Sequence, residues 1–430
     1  MAFLIISILA IAITLILLLL VLFEPGLEYR VDPPAHPLDS DEYLCLLSAL
    51  ADSQPHRDSH VDVLTNGGVF YEAQLDAIRS AKKSVNLEAY IFRNDEIGRR
   101  FVTALTARAR AGVKVNVVVD AIGSFTTPAR AFAPLVAAGG RIRWYQPIRW
   151  YTLKRFNNRT HRELLIIDGE VGFIGGAGIG DNWLTTNKKN PSWRDTVCCV
   201  RGKLTIGLQT TFAENWLEAA DEILTGDDYF PVSGTMVAGA GQDSFEDACG
   251  LVVISAPSAG RSTRSRVLFQ TLLASARSTI HINSPYFLPD RSVQRELIRA
   301  VARGVRVQII TPGPHSDHLM TRSASRRRYG GLLKGGAEIH EFQPAMIHAK
   351  ILIVDGIWSV VGSTNFDNRS FGINDEVNLA AQCRPLALRL TEDFLRDLQR
   401  SNQITYEQWL RRPLIERITE TLGRIVERQQ

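Results

Sequence analysis

The stretch Met346 to Asp355, MIHAKILIVD, constrains this chain most, because it returns upstream at Thr160 to Asp168 as THRELLIID. In each, a histidine leads an apolar, β-branched run that ends on aspartate, as in a buried strand with reactive groups at its mouth. Two such stretches imply one active site built by a duplicated domain. The surrounding sequence repeats too: GGRIRWYQP matches GGAEIHEFQP, and GVKVNVVV matches GVRVQII, at an offset of 197 residues from Gln146 to Gln343. Shared order plus shared wording favours duplication over a chance likeness of generic strands.

Around each copy the periodicity alternates. FYEAQLDAIRSAKK has helical spacing, SVNLEAYIF reads as a strand, IGRRFVTALTARARAG is helical, VKVNVVVDA is a second strand, and PARAFAPLVAAGG precedes a third, RIRWYQP. The second half runs in the same order, from RSRVLFQTLLASARS to GGAEIHEFQP. This is an α/β pattern with buried strands.

On a strand, residues i and i+2 share a face, so His348 and Lys350 point into one pocket while Ala349 and Ile351 point away. An ammonium beside an imidazole suits phosphate chemistry: the cation holds anionic oxygens, and the imidazole attacks phosphorus or carries a proton. A phosphodiester needs both a nucleophile and an acid for the leaving alcohol, which two histidines would supply. A lone histidine in an apolar stretch is usually a satisfied core residue; the recurrence and the glycine-rich turn VVGSTNFDNRSF argue otherwise here. Gly362, Ser363 and Asn365 can bring amides and short polar groups to a phosphate, with Arg369 a further candidate. The first copy has FIGGAGIGDNW, in which Gly175 and Gly176 keep the turn and Gly178 stands in place of Asn365.

These residues resemble the phospholipase D superfamily, and within it the membrane-anchored cardiolipin synthases of bacteria. The signature is His, any residue, Lys, four residues, Asp, then a Gly-Ser turn. It is complete at His348, Lys350, Asp355, Gly362, Ser363 and Asn365, and partial at His161 and Asp168. RFNNRTHR, SPYFLPD and WLRRP share the likeness, which covers about Gly67 to the C-terminus. The resemblance implies an α/β fold of two pseudo-symmetric phospholipase D-type domains, each a mixed sheet flanked by helices. It implies transfer through a phosphohistidine with no metal and no cofactor, and a carboxylate orienting each histidine. Counting onward within each copy leads to Glu376 for His348 and to Asp195 for His161. Asp168 and Asp355 end their strands at odd spacing from the histidines and take a supporting role, holding the following turn or a neighbouring cation. The first-motif histidine is the expected nucleophile.

Glu163 stands where the family carries its phosphate-binding lysine. At an effective dielectric near 20, a charge pair at ~4 Å is worth about 4 kcal/mol, so the exchange is not conservative. Three explanations are open: compensation by Arg159, Arg162 or Lys154; a Glu163 that is protonated or turned away; or an impaired, lipid-binding relative. An active enzyme would keep or raise its turnover on Glu163→Lys, and would lose it on Lys350→Ala.

The ends of the chain bear on location. From Ala2 to Phe23 no charge interrupts an apolar run of 22 residues, enough to cross a hydrocarbon layer of roughly 30 Å. No Lys or Arg precedes Glu24, which favours an uncleaved transmembrane helix over a signal peptide. The acidic flank leans toward an outward-facing body and the five apparently free cysteines lean inward, which leaves sidedness open. The expected organisation is an anchor at 1–24, a tether at 25–60, domains at 61–224 and 261–404 around a linker at 225–260 that holds one short strand, GLVVIS, and an amphipathic helix at 405–430. Arg322, Arg326, Arg327 and Arg328 form either a solvated helix face or a headgroup-binding cluster. The aromatics of RWYQPIRWYTLKRF line an acyl-chain entrance or form a surface loop.

A net charge of +4 and a pI near 8.8 favour anionic partners only mildly, which with the anchor argues against a nuclease. The expected partners are a membrane and phosphatidylglycerol, with no nucleic acid, and the expected activity is cardiolipin synthesis. Hydrolysis on the same scaffold, or silent lipid binding, are the competing readings.

Overall fold

The α/β alternation forms twice in the computed structural model, which describes residues 2–22, 30–147, 157–184, 191–231, 244–245, 248–257 and 263–413. The first half contains β1 (Ser59–Thr65), β2 (Ser84–Ala89), β3 (Lys114–Asp120), β4 (Arg141–Tyr145), β5 (Leu164–Ile167), β6 (Val171–Gly175), β7 (Thr196–Gly202) and β8 (Ser244–Phe245). Their order in the sheet is β4-β3-β2-β5-β6-β7-β1-β8. The second sheet contains β9 (Cys249–Ser255), β10 (Thr279–Asn283), β11 (Arg306–Pro312), β12 (Glu338–Phe342), β13 (Ile351–Val354), β14 (Trp358–Gly362), β15 (Glu376–Gln382) and β16 (Ser401–Ile404). Its order is β16-β12-β11-β10-β13-β14-β15-β9.

Seven strands therefore occur in the same spatial order in both sheets, and only the eighth differs, on opposite edges. In each, the three strands joined by helices pair in parallel and the motif strand starts an antiparallel run. Both sheets are mixed.

Helices are α1 (Ala2–Leu22), α2 (Asp41–Ala51), α3 (Gly67–Ser80), α4 (Glu96–Arg110), α5 (Ala133–Ala137), α6 (Leu204–Ala220), α7 (Arg264–Ser275), α8 (Arg291–Ala302), α9 (Leu319–Lys334), α10 (Arg384–Gln399) and α11 (Tyr406–Leu410). Matching helices start in matching ways. Asp95 caps α4 by accepting from the Gly98 amide, and Asp290 caps α8 by accepting from Ser292 and Val293. Each then buries a 3.6-period stripe: Ile97, Phe101 and Leu105 in α4, and Val293, Leu297 and Ala300 in α8.

The two sheets share a core. Val61, Ile174 and Val200 of the first pack in one cluster with Ile351, Val361 and Leu379 of the second, and α6 and α10 contribute Phe212, Trp216, Leu390 and Phe394. Each large apolar side chain so enclosed stabilises the contact by about 1.5–3 kcal/mol. The halves are thereby fixed to one another with both motif strands facing the joint.

Three expectations about organisation change. The stretch expected as a tether contains α2, whose Tyr43 is fully buried, donates to Ser275 Oγ at 2.9 Å and stacks edge-on against Trp358. An apolar helix, YLCLLSALA, was hidden there by flanking Pro, Asp and Ser. The short strand expected in the linker is β9, which pairs with β15 over seven residues and so belongs to the second sheet as its equivalent of β1. At the N-terminus, α1 is an apolar helix whose side chains, described over residues 4–16, are exposed apart from Ser7. Among the described residues no helix is long and apolar enough to cross a membrane, so the expected transmembrane span is not met there.

Of the helix expected at 405–430, the described residues hold α11, which docks Trp409 on α9 with its indole N–H donating to the Arg326 carbonyl at 2.7 Å; residues 414–430 lie outside the described residues. So do residues 148–156, with Lys154 and most of the aromatic extension. Four of the five cysteines are buried and free; Cys45 is free and exposed.

Candidate active site

The two histidines are brought together by backbone pairing between the copies. Just before β5, Thr160 bridges to Asp375, with the His161 amide donating to the Asp375 carbonyl at 2.9 Å and the Asp375 amide to the Arg159 carbonyl at 2.9 Å. Just before β13 the same happens in reverse: Arg194 bridges to Ile347, with the His348 amide donating to the Arg194 carbonyl at 2.7 Å. The residue after each of these partners is a carboxylate.

Each histidine consequently meets the acid of the other copy. His161 Nδ1 lies 3.1 Å from Glu376 Oε2, and His348 Nδ1 lies 2.9 Å from Asp195 Oδ2. This corrects the expected pairing within each copy; counting along the chain could not reveal a bridge between copies. With Nδ1 engaged by a carboxylate, each ring carries its proton there and leaves Nε2 to react.

Both carboxylates are fully buried and held further. Asp195 accepts from the Trp183 indole at 2.9 Å and the Thr196 amide at 2.8 Å. Burial opposes its charge, but the hydrogen bond and charge of His348, with Lys350 nearby, prevail and keep its pKa below the usual value. Glu376 accepts from the Ser363 hydroxyl. Ser363 thus acts on the acid of His161.

Lys350 is buried between the copies, its Nζ 3.0 and 3.1 Å from the His348 ring nitrogens and donating to the His348 carbonyl at 3.0 Å. Burial lowers its pKa to about 8, against the pull of Asp195, Glu376 and Glu163. Burial and Lys350 also lower that of His348, with Asp195 opposing. Gly176 makes this approach possible, since a Cβ there would stand 2.7 Å from Lys350 Cδ.

Of the other turn residues, Asn365 is buried and its Oδ1 has no partner among the described residues. Gly362 lets β14 approach β15, where a Cβ would meet the Val377 carbonyl at 2.3 Å. Arg369 holds Asn157, donating to its side-chain and backbone oxygens at 2.8 Å, and so braces the segment leading to His161.

Asp168 and Asp355 stand apart from this chemistry. Each is separated from its histidine by a four-residue strand, roughly 13 Å of chain. They occupy Asp-Gly turns with φ of 55° and 54°, a conformation aspartate tolerates. Asp168 accepts from the amides of Lys82, Lys83 and Ser84, and Asp355 from those of Arg277, Ser278 and Thr279. Their role is to clamp the start of the neighbouring strand, rather than the following turn or a cation.

Of the cations expected to compensate for Glu163, Arg159 and Arg162 are engaged elsewhere. Arg159 is buried against Asp120, and Arg162 against Glu214 and Asp375. Arg322 and Arg326 both pair with Glu341, which removes two members of the expected headgroup cluster.

Sequence reasoning passed over the rings that enclose the site. Tyr90 lies edge-on to His161 at 5.2 Å between centroids, and Tyr286 edge-on to His348 at 6.4 Å. They stand 196 residues apart, almost the repeat offset, and that was the available signal. Trp183 and Trp193 pack on His348 at 5.5 and 5.4 Å, and nothing in their spacing announced this.

With this geometry in view, the comparisons are specific. The family described as "Cardiolipin synthase, PLD-like domain" matches residues 75–193 and 269–398. The chain belongs to that family. Cardiolipin synthase of Geobacillus kaustophilus is 33% identical over 86% of this chain and 72% of its own length. The major cardiolipin synthase of Bacillus subtilis is 33% identical over 86% of this chain and 75% of its own. Membership in the cardiolipin synthase family makes the chain a phosphatidyltransferase. Its fold is also that of the phosphatidylserine synthase of Haemophilus influenzae, with a TM-score of 0.67 at 13% identity, covering 86% of this chain and 95% of that one.

Proposed function

We propose that the protein transfers a phosphatidyl group between phospholipids through a phosphohistidine, and that it makes cardiolipin from two phosphatidylglycerols. The observation that carries this reading is the pair of histidines, each oriented by the opposite copy's carboxylate, with Lys350 against the His348 ring.

In the first step His161 Nε2 attacks phosphorus, the bond from phosphorus to the glycerol oxygen breaks, and His348 gives that oxygen a proton. In the second, His348 takes the proton from a hydroxyl of the second phosphatidylglycerol. That oxygen attacks phosphorus, the P–N bond breaks, and His161 is restored. Lys350 holds the non-bridging oxygens in both steps, and Glu376 and Asp195 stabilise the imidazolium that each histidine becomes. The negative phosphodiester also opposes the lowered pKa of His348 and so favours its acid form.

A lipid substrate is supported by exposed apolar groups. Phe125 is 78% exposed on the loop after β3, where Ser124 donates to the carbonyl of Tyr90, the ring beside His161. Leu319 and Met320 are exposed after β11, next to His318, which faces Tyr286, the ring beside His348. With the apolar side chains of α1, these tips fit a body held against a lipid surface.

Purified protein with labelled phosphatidylglycerol tests the reading. Cardiolipin and glycerol in equal amounts are expected. Phosphatidate in their place would make the protein a hydrolase, and no product would make it a lipid-binding relative.

A further inference from the structure

The surroundings of Glu163 are built for a carboxyl group. Its Oε1 accepts from the amides of Tyr90 at 3.2 Å and Ile91 at 3.3 Å. Opposite, Gly178 leaves the space that an asparagine would fill: a Cβ there would stand 3.1 Å from Oε1 and 2.8 Å from both Ile91 Cβ and the Ile91 carbonyl oxygen. Glu163 and Gly178 are therefore one joint departure from the motif. Oε2 makes no hydrogen bond among the described residues. It belongs to the residue two places after His161, on the same side of an extended segment.

We propose that Glu163 replaces the missing lysine as a neutral acid, donating an Oε2–H hydrogen bond to a non-bridging oxygen of the bound phosphodiester. Because Oε1 already accepts two N–H groups, the proton of the neutral form sits on Oε2. The charged and titratable groups around it are Lys350 from the second copy, Glu88 on β2, Tyr90 just after it and Tyr71 on α3. Burial pushes the carboxyl well above the usual carboxylate range; the Ile91 and Tyr90 amides and Lys350 oppose this, and Glu88 reinforces it. A phosphodiester's negative charge disfavours the ionised form further, so anion binding and protonation of Glu163 are coupled. A lysine here would aim its ammonium at two amide donors, which reverses the expectation that Glu163→Lys keeps or raises turnover.

The inference rests on the reading that a phosphodiester binds between the histidines, and a binding assay separates the two. Tungstate, a tetrahedral oxyanion, is titrated calorimetrically into the full chain from pH 6 to 9. Glu163→Gln, whose amide can accept from the two N–H groups and donate into the cleft, should bind within about 3-fold of wild type at pH 6. Glu163→Ala and Glu163→Lys should each bind about 10-fold more weakly or worse. Wild-type affinity should fall more steeply with rising pH than that of Glu163→Gln. Glu163→Gln binding as weakly as Glu163→Ala, tighter binding by Glu163→Lys, or equal pH slopes would each overturn the proposal. If Glu163→Ala does not fold, the Gln and Lys variants and the pH slopes still decide it. Wild type that is folded but binds no tungstate would overturn the phosphate site itself.

Discussion

The two motif copies share a frame but differ in the side chains they place in it. The second offers His348, Lys350, Ser363 and Asn365; the first offers His161, Glu163, Gly176 and Gly178 at the same positions. Taken singly, the first set looks like decay. In space, Gly176 makes room for Lys350 of the opposite copy, and Gly178 makes room for Glu163. The copies have specialised around one shared phosphate position, and one lysine crosses the joint to supply its cation.

The comparison breaks most readily at Lys350. Lys350→Ala should lower phosphatidyl transfer by roughly 10³-fold, the scale of losing one charge-stabilising donor. In the wild type, transfer should decline as pH rises through about 8, where Lys350 loses its proton. Residual turnover near wild type in the variant would mean that the first copy holds the phosphate unaided.

The exchange of carboxylates comes next. Glu376→Gln and Asp195→Asn should each cost roughly 10²-fold or more in turnover through mis-set tautomers. Histidine NMR sharpens the point: Glu376→Gln should move the ring signals of His161 and Asp195→Asn those of His348. The reverse assignment would restore the pairing within copies. A smaller effect is expected at Gly178. Gly178→Ala should destabilise the fold by about 1–3 kcal/mol through crowding of Ile91 and Glu163. Denaturant unfolding should show Glu163→Ala relieving part of that cost, with a coupling of about 0.5–3 kcal/mol. The smallest effect on activity belongs to Asp168→Ala and Asp355→Ala. Each should cost about 1–3 kcal/mol of stability by orphaning three amides and leave turnover unchanged below the melting transition.

Much of this was legible in the sequence. The repeated GGRIRWYQP and GGAEIHEFQP became β4 and β12 in equivalent places, and the alternation around them became two sheets of matching order. His161, His348, Lys350 and Ser363 could be singled out because phosphate chemistry limits which residues can do it, and Glu376 and Asp195 because the resemblance implies an orienting carboxylate; the fold brings each acid to a histidine. The pairing of the acids was not legible, because the segments leading to His161 and His348 pair with residues 214 and 154 positions away, and only the folded joint brings them together. Strand β9 was legible as GLVVIS, but its Gly- and Asp-rich flanks set it in a linker rather than in the second sheet. Asp168 and Asp355 were drawn toward the site by the motif, although the four-residue strand between each aspartate and its histidine carries it to the far end.

The covalent intermediate tests most directly whether two unequal copies make one site with divided roles. Protein mixed with phosphatidylglycerol labelled at phosphorus, quenched within a turnover in alkali and digested, should yield label on the peptide holding His161, with none on that peptide in His161→Ala. Label on His348, or no alkali-stable label in an active preparation, would contradict the division of roles.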